Sequence, residues 1–114
     1  MANPVTWFEV VGRDGPALRS FYSDLFGWQL QVMDGMDYGM LDPGKSGIGG
    51  GIGASQDGTG QVTFYVQVDD PQAYLDKAAG LGGKTVVPVT EVPDVVTFAQ
   101  FADPQGNVVG LVKE

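Results

Sequence analysis

The feature that most constrains this chain is an internal duplication of its element order. Adding 56 to the residue number carries Phe8 to Phe64, Val10 to Val66, Asp14 to Asp70 and Gly27 to Gly83. Val5–Val11 is β-branched and aromatic and reads as a strand. Asp14 and Pro16 follow as a cap and a first-turn proline. Ala17, Leu18, Phe21, Tyr22 and Leu25 then recur at helical spacing up to Gly27. Segments 28–33 and 36–41 read as strands, and Ile48 and Ile52 lie in a glycine run, a strand that something approaches closely. The second half repeats the order. It has a strand over 62–68, a helix opened by Asp70-Pro71 and closed by Gly82-Gly83, and strands over 85–89, 95–102 and 107–113. Each half is therefore strand, helix and three strands. The turns Asp42-Pro43 and Asp103-Pro104 are 61 apart, so the second half carries a longer hairpin. Two such βαβββ modules, about 1–53 and 61–114 with a polar linker over 54–60, predict one α+β domain. Their strands would form a curved eight-stranded mixed sheet, with both helices covering the outside. The helical stripes read as core.

Composition removes several function classes. The 114 residues contain no Cys and no His. That leaves no disulfide framework, no thiolate nucleophile, no imidazole base or ligand and no Ser-His-Asp triad. A metal would need oxygen ligands alone. Fourteen acidic against six basic side chains give a net charge of −8, the wrong sign for nucleic acid or an anionic membrane. Residues 1–11 show no signal peptide and no run approaches a spanning helix, so the expectation is a cytoplasmic protein. The Gly-x-Gly pattern in 47–53 lacks the helix and lysine of a phosphate loop. Asp69, Asp70 and Asp103 read as cap and turn residues.

Phe8-Glu9-Val10, Asp14, Phe21-Tyr22, Leu25-Phe26-Gly27-Trp28, Val68-Asp69-Asp70-Pro71 and Asp103-Pro-Gln-Gly-Asn107 resemble the vicinal oxygen chelate superfamily. That superfamily holds glyoxalase I, bleomycin-resistance proteins, extradiol dioxygenases and fosfomycin-resistance enzymes. The likeness covers nearly the whole chain and is specific for fold rather than chemistry. It implies metal ligands, usually His or Glu, on the first and last strand of each half. Those positions fall here at Trp7, Thr63, Gly110 and within Gly49–Gly51, none of which supplies an anionic or imidazole ligand. The expectation is therefore no metal and no cofactor.

The resemblance also implies that Trp7, Glu9, Thr63, Tyr65, Gln67 and Gly110 face the inside of the sheet, with Phe8, Val10, Val66 and Val68 toward the helices. Such a wall suits a small organic ligand. The leading expectation is metal-independent binding of a drug or metabolite by a homodimer, without catalysis. One alternative is a glyoxalase-type lyase or isomerase using a metal or Glu9 as acid–base. The other is a non-catalytic interaction module. Glu9 reads either as a rim residue, as a cation anchor or as a base, Trp7 either as a ligand contact or as filling, and Trp28 as structural.

Overall fold

A computed structural model describes residues 3–114. It contains β1(Val5–Gly12), α1(Gly15–Phe26), β2(Leu30–Val32), β3(Tyr38–Leu41), β4(Gly49–Ala54), β5(Gln61–Val68), α2(Pro71–Gly80), β6(Lys84–Val92), β7(Val96–Ala102) and β8(Val108–Lys113). This is the α+β class with eight strands of mixed direction and two helices. The chain packs as two compact units, Trp7–Thr63 and Phe64–Glu114, the second joined by the described residues that precede Trp7.

In the first unit the strand order is β2-β3-β4-β1. β1 runs parallel to β4, with Trp7 opposite Gly49, Glu9 opposite Gly51 and Val11 opposite Gly53. β3 is antiparallel to β4, with Tyr38 opposite Gly53 and Met40 opposite Gly51. Asp14 caps α1 by accepting from the Ala17 N–H at 3.0 Å, and Pro16 sits in the first turn. The helix ends at Gly27, whose φ of 72° closes the cap through its N–H to the Ser23 carbonyl. α1 packs against β4 over the fully buried Ile52.

In the second unit the order is β5-β8-β7-β6. Val68, Leu75, Ala99 and Leu111 form its buried cluster, with Val66, Tyr74 and Phe101 packed against it. Val66 and Val68 thus face α2, as expected from alternation. Asp70 caps α2 by accepting from the Ala73 N–H at 3.3 Å. The N–H of Gln67 donates to the Pro4 carbonyl and that of Glu114 to the Val68 carbonyl, tying both ends of the described chain to β5.

Three elements differ from the sequence reading. Strand β6 continues through Pro88 to Val92, although the prolines suggest a break after Val89. It lies at the edge of the second unit, where a missing N–H is tolerated, and its register slips between Thr85 and Thr90. β2 shrinks to three residues. The stripe of α1 is also less buried than core, whereas Leu75 of α2 lies in the core as expected. Phe21 and Leu25 are 57% and 58% exposed, and Leu81 is 71% exposed. Leu18 and Tyr22 face inward instead, because a twelve-residue helix over a glycine strand has little to bury against.

Two tests follow from this packing. Ile52→Ala should cost about 2–5 kcal/mol, the range for deleting a fully buried aliphatic side chain, read by urea unfolding. Asp103 is held below the ordinary carboxylate value, chiefly by the Asn107 side-chain amide, and then by backbone N–H groups of Asn107, Gln105 and Gly106. A depressed folded value means stabilisation that is present above the ordinary value of 3.8 and lost as pH falls below it through the folded value. Asn107→Ala should therefore flatten the pH dependence of unfolding in that acid window, and an unchanged slope would contradict the assignment.

Candidate functional site

The glycines of β4 explain how the first unit is furnished. Gly49, Gly50, Gly51 and Gly53 all lie outside the positive-φ region, so backbone freedom does not require them. Space does. A Cβ on Gly49 would reach 2.9 Å from the Trp7 ring, and one on Gly51 would fall inside the Tyr38 ring. On the opposite face a Cβ on Gly50 would fall inside the Phe8 ring. The close approach expected in this strand is therefore made by the chain's own aromatic rings.

Trp7 and Tyr38 consequently settle beside Glu9. The Trp7 Nε1–H donates to the Tyr38 hydroxyl at 3.0 Å, and that hydroxyl donates to Glu9 Oε2 at 2.9 Å. The three side chains are half-buried. A chain of donors in this order polarises each bond in turn. Phe8 points the other way and packs on Trp28, ring centroids 5.7 Å apart. Trp28 also stacks on Tyr22 and meets Phe26, which makes it a structural residue of the helix face.

The second unit repeats the device with other residues. Tyr65 is buried on β5 and its ring covers Gly110 of β8, opposite which it lies in register. Its hydroxyl accepts from Gln100 Nε2 at 2.8 Å, and Phe98 meets the ring edge-on. Gln67 lies two residues along β5, opposite Val112. Thr63 is buried at the start of the same strand. Of the expected site residues, Trp7 and Glu9 are thus brought together in one unit and Tyr65 and Gly110 in the other. Tyr38 and Gln100 escaped the sequence reading. The reach of the Tyr38 ring over Gly51 and the pairing of Gln100 with Gly110 depend on strand register.

The positions at which the resemblance implies metal ligands carry no group suited to one. Trp7, Thr63 and Gly110 offer no anionic or imidazole group. The space over Gly51 and over Gly110 is taken by tyrosine rings. Among the described residues no three carboxylates converge. A separate cavity of about 360 Å³ lies on the helix face of the second unit, lined by Val66, Val68, Phe101, Leu111 and α2 residues. It is apolar, and the carboxylate at its edge, Asp103, is occupied with its own turn.

The model of the Glyoxalase-like domain family matches residues 9–112. The chain belongs to this family. The protein named "Putative glyoxylase CFP32" in Mycobacterium bovis and Mycobacterium tuberculosis is 28% identical over 111 residues, covering 94% of this chain. This chain spans only 42% of that relative's length. Among solved structures, a glyoxalase/bleomycin resistance protein/dioxygenase superfamily member from Vibrio splendidus aligns with a TM-score of 0.63 and 17% identity, covering 99% of this chain and 100% of that one. Methylmalonyl-CoA epimerase from Mycobacterium tuberculosis aligns at 0.65 and 15%, covering 96% and 86%. These likenesses establish the vicinal oxygen chelate fold, as the motifs imply. Among the described residues no helix is long and apolar enough to cross a membrane.

Gly51→Ala should displace the Tyr38 ring and destabilise the protein by about 1–3 kcal/mol, as overpacking does. Gly60→Ala, with nothing within 4 Å of its Cβ, should leave the melting curve unchanged. Equal melting of the two variants would contradict the glycine-floor account.

Proposed function

We propose that this glyoxalase-like domain binds a small organic molecule in its first unit and does no covalent chemistry on it. The observation that carries the proposal is the hydroxyl of Tyr38 held between Trp7 and Glu9 on a floor of glycines. It gathers an aromatic wall and a fixed carboxylate, both half-buried, which is the mixture small-ligand sites use. Three features argue against catalysis. The chain has no Cys or His to act as nucleophile or base. Glu9 Oε2 is already engaged by the Tyr38 hydroxyl. The metal positions of the fold carry Trp7, Thr63 and Gly110 instead of ligands.

The test uses Trp28→Phe protein, in which Trp7 is the remaining indole. A small-molecule library is screened by tryptophan emission, and hits are recovered and analysed by mass spectrometry. Hits should change the emission saturably, lose at least tenfold in affinity on Trp7→Phe as read by calorimetry, and be recovered unaltered. Hits that return chemically changed would favour a glyoxalase-type lyase or isomerase, with Glu9 as its acid–base group. Loss of that turnover in Glu9→Gln would identify it.

A further inference from the structure

We propose that the helix-side cavity of the second unit is a binding site for a small uncharged molecule, an apolar chain or ring that ends in one hydrogen-bond acceptor. The site is separate from the one in the first unit, and either reading can fail without the other. The cavity measures about 360 Å³, within the range of small-molecule sites. At about 30 Å³ per water-sized group it holds roughly a dozen non-hydrogen atoms. Packed cores leave few voids larger than a single water, so a space of this size between a helix and a sheet is not ordinary slack. Apolar cavities of even about 150 Å³ stay dry and take up apolar molecules.

The space has a cause in the sequence. Tyr74 and Ala78 lie one turn apart on the face of α2 that lines the cavity. Tyr74 packs against the buried cluster of the unit, whereas Ala78 brings a single methyl. The next apolar residue, Leu81, sits past the last turn of α2 and is exposed at the rim, so it does not plug the gap. Gly83 closes the turn without a side chain. A Cβ there would fall 2.6 Å from the Ala102 carbonyl oxygen.

The wall selects the ligand. Val66, Val68, Phe101 and Leu111 form the floor and bring no polar side chain. A charged or polar group set on that floor would lose its water and find no replacement. The body of the ligand is therefore apolar, and its polar group belongs with the polar residues of the lining. Among these the Tyr74 hydroxyl accepts from the Asn3 side-chain amide at 3.3 Å and keeps its own proton to donate. Lys77 and Asp103 supply charges of both signs. The lysine repels a cation. The carboxylate is engaged by its own turn, accepting from the Gln105 and Asn107 N–H groups and the Asn107 amide, each at 2.9 Å. An anion meets that carboxylate and a net chain charge of −8. An uncharged ketone, ester or ether oxygen facing Tyr74 meets neither penalty.

The experiment titrates the unsubstituted protein with 4-phenylbutan-2-one, a ketone matched to the cavity in size. The anion 4-phenylbutanoate and the cation 4-phenylbutylammonium are the comparisons. The methyl NMR resonances of Val68, Ala78 and Leu111 report the cavity, and those of Ile52 report that each variant has kept its fold. The ketone should shift the cavity methyls saturably, with a dissociation constant of about 1 mM or tighter, as its size allows. It should bind at least fivefold more tightly than either ion. Ala78→Leu fills the space and should abolish the shifts. Tyr74→Phe keeps the ring and should weaken the ketone several-fold, as the loss of one hydrogen bond does. Cavity methyls that stay still up to about 10 mM ketone, a level that nearly fills even a millimolar site, would overturn the inference. So would shifts that persist in folded Ala78→Leu, or an ion that binds as tightly as the ketone. Tyr74→Phe leaves the space unchanged, so it tests the site even if Ala78→Leu fails to fold, and an unaltered ketone affinity there would overturn the assigned acceptor contact. None of these results touches the first-unit reading, which is measured at Trp7.

Discussion

The absence of Cβ atoms at Gly49, Gly50, Gly51 and Gly53 of β4 is the constraint on which the first unit depends. Four strand glycines leave a bare backbone between β1 and β3, and aromatic rings from both neighbours occupy it. Trp7 and Tyr38 lie on one face and Phe8 on the other. One glycine strand thereby fixes two things at once. It places Phe8 against Trp28 on the helix side, where packing stabilises the unit. It places the Tyr38 hydroxyl between Trp7 and Glu9 on the other side, where polar groups are gathered. Glycine in a strand normally weakens it, so the loss of propensity here is offset by ring burial.

The same solution recurs in the second unit, where Tyr65 covers Gly110 and its hydroxyl meets Gln100. The two halves differ in what the tyrosine touches. In the first it donates to a carboxylate, and in the second it accepts from an amide. The two halves thus share the geometric device and differ in its chemistry. The positions where the resemblance implies metal ligands are covered by the chain's own rings at Gly51 and Gly110. A ligand side chain at Gly51 or Gly110 would have to grow through a tyrosine ring.

Much of this was legible in the sequence, for identifiable reasons. Asp14 with Pro16 and Asp70 with Pro71 are local signals, and both mark helix starts as expected. Alternation along β1 separated Phe8 from Trp7 and Glu9, because the period of a strand is a local property. The glycine run announced close approach, but not which groups approach. Tyr38 sits thirteen residues from Gly51, and only the antiparallel register of β3 and β4 sets Met40 against Gly51 and swings the Tyr38 ring over it. The α1 stripe overstates burial for a related reason. A 3.6-residue stripe records which face is apolar, while the depth of burial depends on what lies beneath, and beneath α1 lies a strand of glycines. β6 runs past its expected end at Val89 because it is an edge strand, where proline is tolerated.

The measurement closest to the central claim is the indole N–H resonance of Trp7 by NMR, compared between the native protein and Tyr38→Phe. If the Tyr38 hydroxyl links Trp7 to Glu9, removing it should move that resonance upfield and speed its exchange with solvent, while the Trp28 indole stays unchanged. A Trp7 resonance that neither moves nor exchanges faster would contradict the account.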